Sequence, residues 1–367
     1  MVMSKLRVII AGGGTGGHIF PAVAVGHALQ RLQPGMQLLF VGAKDRMEME
    51  KVPQEGFEII GLDIAGFNRS SIWKNISLPF KLWKSRIQAR NIIRQFKPGV
   101  IVGVGGYASF PVLYAGQGMN IPTLIQEQNS YAGKSNKILG RRAKAVCVAY
   151  EHMEQFFPKD KIMLTGNPVR KSITDMSRTG EEGRRWFGLQ NGLKTILIIG
   201  GSLGAKSINE SIDEQLDELM KEDIQVIWQT GKPYYELAEK RADKYPERVK
   251  VLAFIRDMDY AYAAADLVVS RAGALAIAEL CIAGKPVIFV PYPFAAEDHQ
   301  TSNAMALVTG NAALLVKDNE TKTELLEKIK TVLHDQGMQE VMAQNLKKMA
   351  IKDADERIAK KVIEIAG

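Results

Sequence analysis

Leu6-Arg-Val-Ile-Ile-Ala-Gly-Gly-Gly-Thr-Gly-Gly-His-Ile-Phe-Pro-Ala-Val-Ala-Val-Gly-His-Ala-Leu29 joins an apolar run, a cluster of glycines and a second apolar run. It reads as a buried strand, a tight turn and a helix. The same opening returns as Thr195-Ile-Leu-Ile-Ile199, Gly200-Gly-Ser-Leu-Gly-Ala205 and a helix from about Lys206. In the first half, further strands are expected at Leu38–Gly42, Val100–Val104, Ile121–Ile125 and Ala145–Val148. In the second half they are expected at Gln225–Trp228, Val249–Leu252, Leu267–Ser270 and Pro286–Val290. Short apolar strands alternating with helices build parallel sheets covered by helices. The expectation is therefore an α/β chain of two Rossmann-like domains facing each other. The boundary is expected near Gly166-Asn-Pro-Val169, with domains over 1–167 and 168–345. The last stretch, about 346–367, reads as one basic amphipathic helix that packs back on the first domain.

The chain has 367 residues, 46% hydrophobic and 24% charged, which excludes a disordered or fibrous protein and suits two domains. No run of about 18 apolar residues is present to span a membrane. The start lacks the charged and apolar regions of a secretory signal, so none is expected. Cys147 and Cys281, each in an apolar run, are expected as buried thiols and not as a disulfide.

The net charge of +8 is unevenly spread. Residues 1–167 hold 21 basic and 10 acidic residues, whereas residues 168–367 hold 27 and 30. No acid occurs from Ile64 to Gln126, and eight basic residues crowd into Arg69–Lys97. Such a field attracts an anionic partner: nucleic acid, an acidic membrane surface or a phosphorylated substrate. No helix-turn-helix, zinc or RNP signature accompanies it, so nucleic acid is not expected. Within this stretch Trp73, Phe80 and Trp83 are interleaved with Lys74, Lys81 and Lys84, and Pro79 marks a helix start. That composition suits a segment that dips into lipid headgroups, and the alternative is a core-facing helix with a solvated basic side.

Several motifs carry chemistry. Gly12–His18 is a phosphate-type loop, with His18 as a candidate base at its mouth or a packing histidine. The second strand ends without an acid to hold ribose, which disfavours nicotinamide binding. Gly200-Gly-Ser202 is a second loop of this kind, suited to a diphosphate. Glu279 lies in an apolar helix entered from Ser270-Arg-Ala-Gly273, where ribose hydroxyls would satisfy its carboxylate. Gln300 and Asn303 follow a strand end and suit sugar hydroxyls. Asp257-Met-Asp259 has the spacing of a metal clamp but is read as helix capping, and no other cluster has metal spacing.

Taken in order, Gly12–His18, Gly103-Val-Gly-Gly-Tyr107, Glu127-Gln-Asn129, Gly166-Asn-Pro-Val-Arg170, Gly200-Gly-Ser202, Phe254-Ile-Arg-Asp-Met258, Arg271-Ala-Gly-Ala-Leu275 with Glu279, and Asp298-His-Gln300 with Asn303 resemble the MurG family. These are peptidoglycan glycosyltransferases that make lipid II from lipid I. The resemblance implies a GT-B fold with a central cleft. It implies inverting transfer of N-acetylglucosamine from UDP-GlcNAc to the C4 hydroxyl of MurNAc in lipid I. It assigns Thr15, Gly16, Asn129, Arg170, Ser202, Ile255, Ala274, Leu275, Glu279 and Gln300 to the donor. Gly13, Gly14, Gly105, Gly106 and Tyr107 go to the acceptor, and His18 to the base. Where some members carry a second glutamine after the one matching Gln300, this chain has Thr301. No metal or other cofactor is implied. The implied partners are UDP-GlcNAc, lipid I, an anionic membrane surface and other cell-wall enzymes. The implied location is peripheral, on the cytoplasmic face of the plasma (inner) membrane. A different GT-B transferase or a sugar-nucleotide 2-epimerase is the competing enzyme reading.

Overall fold

In the computed structural model of the chain, residues 6–64, 78–201 and 203–367 are described, the side chains of residues 78–81 and of Ala296 excepted. The chain divides into two compact units, Met1–Arg170 with Asp353–Gly367, and Lys171–Lys352.

The first unit holds a parallel seven-stranded sheet: β1 (Arg7–Ala11), β2 (Gln37–Ala43), β3 (Ile59–Leu62), β4 (Val100–Gly103), β5 (Thr123–Glu127), β6 (Ala145–Val148) and β7 (Ile162–Leu164). Their order across the sheet is β3-β2-β1-β4-β5-β6-β7. Between them run α1 (Gly16–Leu32), α2 (Glu48–Gln54), α3 (Leu78–Phe96), α4 (Ser109–Gly118) and α5 (Lys134–Gly140). Alternation along β1 divides the core into two layers. Ile9 and Ala11 pack with Ala89, Ile93, Leu113 and Leu139, whereas Val8 and Ile10 pack with Ile19, Val23 and Leu29. Because both faces are covered, the strands read as continuous apolar runs.

The second unit follows with α6 (Lys171–Thr174) and α7 (Gly180–Trp186), then a parallel six-stranded sheet. Its strands are β8 (Lys194–Ile199), β9 (Ile224–Gln229), β10 (Val249–Leu252), β11 (Leu267–Ser270), β12 (Val287–Phe289) and β13 (Leu314–Leu315), ordered β10-β9-β8-β11-β12-β13. The helices are α8 (Lys206–Leu219), α9 (Tyr235–Ala242), α10 (Met258–Ala264), α11 (Ala274–Ala283), α12 (His299–Val308), α13 (Thr321–His334) and α14 (Gln336–Met349). Trp228 is fully buried in this core, and its indole N–H donates to Asn209 Oδ1 at 3.0 Å.

Two expectations about the chain's organisation are corrected. The division falls after Arg170 rather than after Asn167, and Thr165–Val169 is buried in the first unit. Asn167 explains this, because its side chain hydrogen-bonds into the end of β5. The expected single helix over 346–367 is two. α14 ends at Met349, Ala350 turns extended (ψ 128°), and α15 (Ala354–Ala366) begins anew with Asp355 and Glu356 in its first turn. Only α15 belongs to the first unit, where Ile358, Ala359 and Val362 pack with α1 residues and Arg31 pairs with Asp355 at 2.7 Å.

Candidate active site

β1 and β4 are neighbours, and the sheet order runs outward from them in opposite directions. Loops that part at such a switch point form the crevice where open α/β sheets bind ligands. Here both loops are glycine-rich, and they meet backbone to backbone. A Cβ on Gly106 (φ +83°) would stand 2.0 Å from the Gly13 carbonyl oxygen. Neither α1 nor α4 has a side-chain cap, which suits their first turns to an anion. Half-exposed Tyr107 reaches within 3.9 Å of where a Gly14 Cβ would be.

His18 sits in the first turn of α1, with Nδ1 3.0 Å from the Val104 carbonyl oxygen. A carbonyl only accepts, so Nδ1 carries the proton and Nε2 the lone pair of the neutral ring. Glu48, which the motifs did not single out, lies against this loop and is 1% exposed. Its Oε2 accepts from Gly14 N at 2.8 Å and its Oε1 from Ala43 N at 3.0 Å. β2 has no acid at its tip, but Glu48 folds back to it and spends its carboxylate on backbone donors. The Gly14 N–H is thereby directed at Glu48.

Buried Glu127 acts as a clamp on the loop after β5. Its Oε1 accepts from Asn129 N at 3.1 Å and from Asn129 Nδ2 at 3.3 Å. Its Oε2 accepts from Gly133 N at 3.1 Å and Asn136 Nδ2 at 2.8 Å. Arg170, expected in the second domain, belongs to the first unit. Its guanidinium lies 5.2 Å from the centre of the Phe20 ring, and that ring packs against Gly16 beside exposed Thr15.

The second unit repeats the arrangement at β8 and β11. The turn before α8 is tight, since a Cβ on Gly204 (φ +80°) would lie 1.9 Å from the Thr230 carbonyl oxygen. Ser202 lies outside the described residues. Arg271 cross-links the rim: Nη1 donates to the Val290 and Pro291 carbonyls at 3.0 and 3.1 Å and to Asp318, and Nη2 donates to Ser207 Oγ at 3.1 Å. Ala274 and Leu275 open α11 behind Gly273, with no side-chain cap. Glu279 is 4% exposed, and its Oε2 accepts from the Tyr262 hydroxyl at 3.0 Å. The buried carboxylate therefore has a hydrogen-bond donor within the protein itself. Ile255 is buried as a whole residue, main chain included. Gln300 Oε1 accepts from Tyr292 N at 2.9 Å, so its Nε2 is the end suited to a sugar oxygen.

Asp257 stands at the N-cap of α10 but makes no cap bond, contrary to expectation. Its backbone (φ −91°, ψ 67°) lies outside the extended region from which a cap side chain is aimed. Asp259 pairs with Arg178 at 3.4 Å. Among the described residues no group of three or more His, Cys, Asp or Glu is placed to hold a metal ion. Both cysteines are buried, and burial pushes each thiol up to about 12.

α3 turns Ser85, Ala89, Ile92 and Ile93 inward and leaves Leu82, Trp83 (61% exposed) and Ile87 outward. That spacing rules out Trp83 as a core residue. α4 contributes Phe110 and Tyr114, stacked at 5.6 Å, with the Arg86 guanidinium 4.7 Å from the Tyr114 ring centre. Lys84 pairs with Asp63 at 3.0 Å. Trp73 and Lys74, and the side chains of Phe80 and Lys81, lie outside the described residues. No described helix is long and apolar enough to cross a membrane.

Two parallel sheets, each with glycine turns and helix starts gathered at its switch point, are the architecture of a GT-B glycosyltransferase. Models of the glycosyltransferase family 28 N-terminal and C-terminal domains match residues 8–148 and 195–358, and the chain belongs to that family. The UDP-N-acetylglucosamine--N-acetylmuramyl-(pentapeptide) pyrophosphoryl-undecaprenol N-acetylglucosamine transferase of Bacteroides thetaiotaomicron is 53% identical over 99% of this chain and 98% of its own. The protein of the same name from Cytophaga hutchinsonii is 51% identical over 98% of this chain and 96% of its own. The crystal structure of Acinetobacter baumannii MurG, 31% identical, matches with a TM-score of 0.78 over 98% of this chain and 100% of its own. A UDP-GlcNAc 2-epimerase from Neisseria meningitidis, 16% identical over 98% of this chain and 100% of its own with a TM-score of 0.67, shares the fold alone.

Proposed function

We propose that the chain transfers N-acetylglucosamine from UDP-GlcNAc to the C4 hydroxyl of MurNAc in lipid I. The donor is inverted, and the product is the β-1,4-linked lipid II of peptidoglycan synthesis. The observation that carries this reading is identity of about one residue in two, over nearly the whole chain, to transferases of that name. The epimerase reading rests on fold alone.

The acceptor pyrophosphate belongs at the switch point of β1 and β4, with Gly13, Gly105, Gly106 and Tyr107 around it. Gly14 shapes the loop, because its N–H is directed at Glu48. His18 Nε2 takes the proton of the C4 hydroxyl as that oxygen attacks the anomeric carbon and the bond to UDP breaks. The donor belongs at the switch point of β8 and β11. Uracil meets the chain at Ile255, ribose meets Glu279, and the sugar meets Gln300 and the Ala274-Leu275 backbone. The leaving diphosphate gains negative charge, which the start of α8, with Ser202, stabilises, and the resemblance also assigns Arg170, Thr15 and Gly16 to the donor. These groups carry the chemistry without a metal ion. The outward face of α3, extended by exposed Tyr114, supports peripheral attachment to the cytoplasmic leaflet, where a lipid-linked acceptor presents its sugar.

The test is release of UDP from UDP-GlcNAc in EDTA, with and without a lipid I analogue. Release that needs the acceptor is expected. Acceptor-independent conversion of UDP-GlcNAc would favour the epimerase reading, and loss of activity restored by Mg²⁺ would promote Asp257 and Asp259 to a metal site.

A further inference from the structure

Behind the His18 imidazole lies a circuit of buried amides to which the chemistry above gives no role. The Val104 carbonyl that accepts His18 Nδ1–H also accepts from Gln128 Nε2 at 2.7 Å. The same Gln128 nitrogen donates to Gln126 Oε1 at 2.7 Å. Gln126 Nε2 donates to Asn167 Oδ1 at 2.9 Å, and Asn167 Nδ2 donates back to the Gln128 backbone carbonyl at 3.0 Å.

The direction of every bond is determined. Val104 O and Gln128 O are main-chain carbonyls and can only accept, so Gln128 and Asn167 must each present nitrogen to them. Asn167 then presents oxygen to Gln126, and Gln126 presents oxygen to Gln128. Gln126, Gln128 and Asn167 are all buried. A broken link would therefore strand a buried polar group, and the circuit holds as a unit.

For the imidazole the consequence is both geometric and electrostatic. The circuit holds the Val104 oxygen in place, and that oxygen sets the ring's tautomer. Gln128 also draws on the oxygen's electron density. A carbonyl shared between two donors stabilises an imidazolium less than one given to His18 alone, and so favours the neutral ring that can take a proton. We infer that Gln128, oriented by Gln126 and Asn167, is a positioning residue that fixes His18 and keeps it neutral near physiological pH. The inference rests on the reading of His18 as the base. Among the described residues, the charged and titratable groups on the surrounding elements include Glu48 of α2, Tyr107 of the turn before α4, Glu127 at the end of β5, and Arg170. Glu48 and Glu127 are bound to backbone N–H donors, and the substitutions below leave all four in place.

The experiment uses the full chain and Gln128→Met, which keeps length but loses the donor. Ring ¹⁵N resonances of His18, assigned by their loss in His18→Ala, are followed against pH, and kcat is measured over the same range. The His18 midpoint should rise by about half a unit. The acid limb of kcat should move with it, costing roughly threefold in rate on that limb, with donor KM unchanged. Gln126→Met should shift the midpoint in the same direction by less, and should add nothing to Gln128→Met in the double variant. An unmoved midpoint in folded Gln126→Met and Gln128→Met overturns the inference, even if both lose rate or thermal stability. A midpoint that moves while the kcat profile stays put upholds the tie between Gln128 and His18 and removes His18 as the base.

Discussion

Single residues divide the proposed reaction between binding and chemistry, and kinetics can separate them. Glu279 belongs to donor binding, so Glu279→Ala should raise the UDP-GlcNAc KM roughly ten- to hundredfold, since a hydrogen bond to a charged group contributes about 1.5–3 kcal/mol. Circular dichroism should show a retained fold, and an unchanged donor KM would remove the assignment. His18 belongs to the chemical step. His18→Ala should lower kcat by about 10²–10⁴-fold with little change in donor KM, and a kcat that barely moves would make it a packing residue. Glu279 was legible because a carboxylate inside Ala274–Ala283 is costly unless something satisfies it. Its partner Tyr262 was not, since one tyrosine in Tyr260-Ala-Tyr-Ala-Ala-Ala265 gives no sign of facing a carboxylate from another helix. Glu48 was hidden for the same reason, because its two backbone partners are set by the return of α2 onto the glycine loop.

At the scale of elements, the central strands were legible because each buries a continuous apolar run on both faces. The edge strands β3, β7 and β13 were not, because they are short and, Leu62 apart, none of their residues is fully buried. The inward stripe of α3 follows from its period, whereas the aromatics of α4 give no period of their own. Asp63 fastens the end of β3 to its neighbours. Lys44 and Lys84 pair with it at 2.8 and 3.0 Å, and Gln88 donates to it at 2.7 Å. These hydrogen bonds, Lys44 first, hold its carboxyl well below the usual aspartate range. A folded-state pKa below the unfolded one gives stability that is present above about pH 4 and lost as pH falls. Asp63→Asn should therefore lower Tm at pH 7, and the gap to the parent should close on acidification. A gap that is the same at pH 7 and pH 3 would show that the ion pairs contribute nothing.

Over the whole molecule, charge follows the division into units. The first unit carries 25 basic and 14 acidic residues, and the second 23 and 26. With Trp83 outward on the basic unit, apolar insertion and attraction to anionic lipid act together, each basic residue near the surface contributing about 1 kcal/mol. Binding to anionic vesicles should fall with salt and be much weaker on neutral ones. Replacing Trp73, Phe80 and Trp83 with serine should impair transfer to a membrane-embedded acceptor and spare transfer to a short-chain soluble one. Equal losses on both would remove the membrane role of these side chains. The proposed reaction itself is tested most directly by incubating the protein with UDP-GlcNAc labelled in its sugar and a lipid I analogue, then identifying the labelled product. Label in a lipid-linked disaccharide, joined β-1,4 to MurNAc, is the expected result. Label that stays in nucleotide or free sugar while acceptor is present would contradict the assignment.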